Sequence, residues 1–252
     1  FVPSGTMFTN FSTGHMIRYN YVGTNVYGTA AIGNGMHGID FDGANNSYVL
    51  DNVVGGSGQY GIGVDATYSA DPAMIYNVTI MRNRIGIGVN GENIGNTGAG
   101  IMVINAHDIV IGSSIANANI IAYNGKGVVV KDWPSSSSGS CYNVQITYNR
   151  IFSNNDLGID LNDDGVTLND VGDNDTGPNK LLNFPVITSA YVEDGNLTIK
   201  GTLDTDIPNS NFNIVFFNNP NGVIDADPSG YGENYIRIGL IAVTTDGNGD
   251  AS

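Results

Sequence analysis

The residue types with the most chemical potential lie in one acidic run. Asp156, Asp160, Asp163, Asp164, Asp170, Asp173 and Asp175, with Asn162 among them, fall within twenty residues of turn-rich sequence, and Lys180 is the one cation nearby. Packed carboxylates repel unless they fan out into water or share a hard cation, and Ca²⁺ takes about six to eight oxygens from flexible loops. The EF-hand spacing is absent, because no Glu closes a twelfth position. Asp160, Asp163, Asp170, Asp173 and Asp175 are therefore the expected ligands of a calcium ion that stabilises and does no chemistry. The opposing reading is a solvated acidic loop.

Other acids raise the question of catalysis. Asp40, Asp42, Asp65 and Asp160 could project from one face, and glycoside hydrolysis needs two facing carboxylates. A polysaccharide lyase would need a base, for which Lys126, Lys131, Arg82 and Arg84 are candidates. Trp133 and Tyr142 are the candidate glycan-binding residues, since an exposed Trp-Tyr surface stacks on sugar rings; the competing role for Trp133 is to cover its serine-rich loop. His15, His37 and His107 are scattered, which argues against a zinc site. Gly33-Asn34-Gly35 and Gly61-Ile62-Gly63 lack a following helix, so they are bends and not a nucleotide fingerprint.

The composition limits what can position these groups. The chain has 252 residues, and its formal charge of −15 argues against nucleic acid and against anionic membranes as partners. Glycine (35) and asparagine (34) are far above ordinary usage, and aspartate outnumbers glutamate by 21 to 3, which excludes a helical bundle. Cys141 is the single cysteine, so no intrachain disulfide forms. No apolar run approaches the roughly 18 residues of a membrane span. The opening Phe1-Val2-Pro3 has no charged-then-apolar pattern, so a secretion signal is expected outside this stretch.

Self-similarity supplies the elements. A β-branched stretch ending in Asn recurs at Asn20, Asn52, Asn83 and Asn149, with a weaker copy ending at Asn124. Each is followed by a second phrase, as in Gly38-Ile39-Asp40-Phe41, Gly61-Ile62-Gly63-Val64, Gly127-Val128-Val129-Val130 and Gly158-Ile159-Asp160-Leu161. Period-two alternation bounded by Gly and Asn is strand chemistry, and a recurrence of about 30 residues is a solenoid period. The spacing predicts a coil with Ile and Val stacked inside and Asn amides bonding the turns above and below. A β-sandwich is the alternative. After Pro185 the texture changes to longer strands around Val186–Ala190, Asn196–Gly201, Asn213–Phe217 and Ile236–Val243, which read as antiparallel.

With these phrases the sequence resembles the right-handed parallel β-helix repeat family of secreted and surface bacterial proteins. Residues 23–35 and the run from Leu157 through Val186 carry the resemblance. It implies an all-β chain: a right-handed parallel β-helix over residues 1–183, then an immunoglobulin-like β-sandwich over 184–252 that lacks a final strand. Taken together with the residues above, the leading expectation is a non-catalytic structural or adhesive segment of a cell-surface or secreted assembly, with glycan expected along its flank and Ca²⁺ at the acidic run. The alternative is a polysaccharide lyase or glycoside hydrolase. Two readings of the missing strand stay open: residues beyond Ser252 of a longer protein supply it, or another copy does, giving self-association into filaments with residues 1–8 as donor.

Overall fold

The structure, a computed structural model, describes residues 12–66, 75–133, 140–219 and 231–252. The chain divides into two compact units. The first holds the residues to Val166 with Gly177–Asn179 and Asn219–Tyr235; the second holds Thr167–Thr176, Lys180–Asn218 and Ile236–Ser252.

The first unit is a parallel β-solenoid. Each turn contributes a strand to each of three five-stranded parallel sheets. The first sheet stacks Tyr21–Val22, Val53–Val54, Arg84–Ile85, Ile120–Ala122 and Arg150–Phe152. The second stacks Ile39–Asp42, Ile62–Asp65, Ala99–Ile104, Lys126–Lys131 and Ile159–Leu161. The third stacks Met16–Arg18, Ser47–Leu50, Ile75–Met81, Ala106–Ile111 and Tyr142–Ile146. The repeated apolar positions meet inside: Ile62, Ile101 and Val128 pair in register, as do Val64, Val103 and Val130, and all six are buried. Burial of these side chains is the main driving force, because a short strand cannot hide its apolar face alone.

The asparagines form two ladders. In one, Asn20, Asn52, Asn83, Asn119 and Asn149 stack on successive turns, each donating from Nδ2 to the Oδ1 of the next at 2.9–3.0 Å. In the other, Asn96, Asn124 and Asn154 do the same and end on the carboxylate of Glu233. The sequence copy ending at Asn124 thus holds a member of each column, since Asn119 takes the ladder position and Asn124 belongs to the second. Near the start of the third-sheet strands the chain bends through left-handed backbone, and Asn46, Asn77, Asp108 and Asn143 occupy that conformation there. Asn and Asp tolerate it better than other side chains.

In the second unit Val186–Glu193 and Asn196–Asp204 pair antiparallel, as do Asn211–Asn218 and Ile236–Thr244. The four expected strands are present. Where the sequence suggested no returning strand, Asp250–Ala251 pairs antiparallel with Leu203–Asp204. The proposed donor segment, residues 1–8, lies outside the described residues, as do 134–139 of the loop after Trp133.

Candidate functional site

The second sheet carries the candidate site on its outward face. Ile39, Phe41, Ile62 and Val64 point into the core, so Asp40, Asp42 and Asp65 point out. Asp42 pairs with Asp65 across adjacent turns, while Asp40 lies opposite Gly63. A side chain at Gly63 would put its Cβ 2.4 Å from Oδ1 of Asp40, so glycine is what gives that carboxylate its place. Burial raises the Asp40 pKa above the ordinary aspartate value, opposed by His37 and reinforced by Asp65 and Asp42. Burial and Asp65 raise Asp42 as well. His37 stacks on Tyr60 with ring centres 3.9 Å apart, and the Tyr60 hydroxyl lies 3.4 Å from Oδ2 of Asp65.

Farther along the same face the outward positions turn apolar. Ala99, Met102, Ile104 and Val129 form a buried cluster, with Tyr60 against it, apart from the coil's core. Ala99, Met102 and Val129 of this cluster floor an open groove of about 680 Å³, walled by Tyr60, Lys126 and Asp163. Its lining comes from four successive turns, and turns about 4.8 Å apart make a slot about 15 Å long. Asp160 is on the same sheet face, in register with Val129, but three turns beyond Gly63. It does not join Asp40 and Asp65.

The basic candidates are all engaged. Lys126 Nζ bonds Asp160 at 2.7 Å and Asp163 at 2.8 Å, and Lys131 bonds Asp163 at 2.7 Å. Burial alone would lower the Lys126 pKa, but the hydrogen bonds and charges of Asp160 and Asp163 hold it above the ordinary lysine value. A lysine so held is a poor general base at neutral pH. Burial would raise Asp163, and the two lysines hold it low instead. Arg82 is clamped on Asp51, and Arg84 donates to the Gly88 carbonyl.

The five expected metal ligands separate into two groups. Asp160 and Asp163, in the coil, are paired with lysines, whereas Asp170, Asp173 and Asp175, in the second unit, come together. Of the expected glycan residues, Trp133 is 43% exposed and its backbone amide donates to Asn105. Tyr142 is 51% exposed and stacks on His107 at 4.6 Å, and His107 stacks on Tyr76 in turn. That stack uses ring faces against each other, so Tyr142 has one face committed. Trp133 and Tyr142 do not line the groove, and Tyr60 and Met102 do. The sequence held a sign of this: alternation fails at Ala99–Ile104 and at Val128–Val130, where outward positions are as apolar as inward ones.

The carboxylates set a pH dependence. Asp40, Asp42, Asp160, Asp173 and Asp175 all have raised folded-state pKa values, each with burial as the largest cause. Between the ordinary aspartate value and these raised values the folded chain binds more protons than the unfolded chain, so stability rises as pH falls. Asp51 and Asp163 are lowered, by hydrogen bonding to Arg82 and by the lysines acting against burial respectively, so their contribution is lost at still lower pH. In metal-free buffer the melting temperature is expected to climb as pH falls from neutrality toward the ordinary aspartate range and then to fall below it. A monotonic decline from pH 7 would contradict this assignment. No helix among the described residues is long and apolar enough to cross a membrane. Compared with known protein families, the chain matches no family model.

Proposed function

We propose that this chain is a rigid, non-catalytic segment of a secreted or surface-exposed assembly that binds a glycan along the second sheet of its coil. The C-terminal unit is read as an immunoglobulin-like module, and the coil as a member of the right-handed parallel β-helix repeat group. The observation that carries the reading is the groove. It is open and elongated, with an aromatic wall at Tyr60, an apolar floor at Ala99, Met102 and Val129, and charged groups at Lys126 and Asp163. Amphipathic slots of this form suit a ligand with apolar ring faces and polar rims. The ladders keep the slot's walls in fixed register.

A second reading, a polysaccharide-active enzyme, is favoured by the Asp40, Asp42 and Asp65 group, in which two acids have raised pKa values as general acids do. Acidic and neutral polysaccharides separate the two. Binding is expected on a glycan array, weakened about tenfold by Tyr60→Ala, in line with loss of one aromatic contact, and with no new reducing ends or unsaturated uronates. Products that vanish in Asp40→Asn would establish the enzyme instead. Absence of both binding and products would remove the glycan altogether.

A further inference from the structure

Asp170, Asp173 and Asp175 each present one carboxylate oxygen that is buried and has no hydrogen-bond partner among the described residues: Oδ1 of Asp170, Oδ2 of Asp173 and Oδ1 of Asp175. Asp173 is only 2% exposed. One oxygen from each of the three lies within 4.8 Å of the others. Oxygens about 2.4 Å from a common Ca²⁺ ion are at most about 4.8 Å apart, so the three fit one coordination sphere.

The remaining oxygens and the backbone hold the loop in place. Oδ2 of Asp170 accepts from the Asn174 amide, and Oδ1 of Asp173 accepts from the Asn183 amide at 2.9 Å. The Asn183 side chain accepts from the Asp170 amide and donates to the carbonyls of Asp170 and Asp204. Asn169 exchanges two hydrogen bonds with the backbone of Phe184. Gly172 donates to the Asp204 carboxylate. Residues 169–175 are thus tied to 183–184 and to the end of the strand Asn196–Asp204. Lys180, the nearest cation in sequence, is paired with Asp206.

We infer that Asp170, Asp173 and Asp175 form a binding site for one hard divalent cation, Ca²⁺, which locks residues 169–175 within the C-terminal unit. The donor set is entirely oxygen, which selects Ca²⁺ or Mg²⁺ over softer ions. Three carboxylates presented from irregular loop backbone suit the variable sphere of Ca²⁺ better than the strict octahedron of Mg²⁺. Three neighbouring carboxylates, each with one buried oxygen lacking a partner among the described residues, are otherwise expensive, and the ion is the partner that removes the cost.

The test is calorimetric titration of the chelator-treated full chain with CaCl₂ and with MgCl₂, paired with melting curves. One saturable Ca²⁺ event is expected, with Mg²⁺ weaker by about tenfold or more. Added Ca²⁺ should raise the melting temperature, as any ligand specific to the folded state does. Asp173→Asn with Asp175→Asn should abolish the event, and Asp164→Asn, at an exposed acid outside the trio, should preserve it. If the double variant does not fold, Asp175→Asn alone should weaken Ca²⁺ binding by about tenfold, through loss of one charged ligand. No saturable event in the unmodified chain, or one unchanged by the Asp173 and Asp175 replacements, would overturn the site.

Discussion

Asn83→Leu is expected to cost about 3 kcal/mol or more of folding stability, read from denaturant unfolding. The Asn83 side chain accepts from the backbone and side-chain amides of Asn52, and donates to the carbonyls of Val49 and Met81 and to Asn119. Leucine fills a similar volume but leaves the buried Asn52 amide without an acceptor, and each such orphan costs about 1–3 kcal/mol. The loss also breaks the column in its middle, where polarised neighbours strengthen one another. Asn20→Ala, at the exposed end, removes a side chain that only donates, while its own backbone amide keeps Oδ1 of Asn52. That variant should cost under about 1 kcal/mol. Equal losses at the two positions would show that membership in the buried column carries no special weight.

Gly95→Ala is the second large effect, for a steric reason. A Cβ there would sit 1.8 Å from the carbonyl oxygen of Tyr123 on the next turn. The obstacle is backbone held in a stacked coil, and Tyr123 is itself in left-handed backbone, so neither side yields easily. The coil would have to open locally, at a cost of about 3 kcal/mol or more. Gly35→Ala makes the contrast. Nothing lies within 4 Å of a Cβ at that position, and alanine there should be neutral within about half a kcal/mol or slightly stabilising. A Gly95→Ala chain with an unchanged denaturation midpoint would mean that adjacent turns are not packed this closely.

The coil was legible because its physics repeats. Asn20, Asn52 and Asn83 stand at similar spacing in the sequence and Asn149 at about twice that spacing beyond, and the structure stacks all four. Asn119 was obscured because its turn is 36 residues after Asn83, longer than its neighbours. The antiparallel strands after Pro185 were legible from alternation and turn residues. The candidate groove was not, because it depends on which loops leave a sheet face open, and that follows from turn lengths no local pattern encodes. Tyr60 and Met102 look like core residues in sequence. The acidic run showed the opposite difficulty: its composition announced a cation, but only three-dimensional placement separates Asp160 and Asp163, held by lysines, from the trio that is not.

The two ladders also have a direction. In every link the amide of one asparagine donates toward the turn that follows it in the chain, from Asn20 through Asn149 and from Asn96 through Asn154. Their side-chain dipoles therefore add head to tail along the coil axis. The donor ends accumulate at the last turns, as amide groups do at the start of a helix, and acids are favoured at such ends. Glu233 occupies that place in the second column and accepts both amides of Asn154. An Asn at Glu233's position would pass the polarity onward to a further turn. A carboxylate has no proton to pass, so it closes the column electrically as well as sterically.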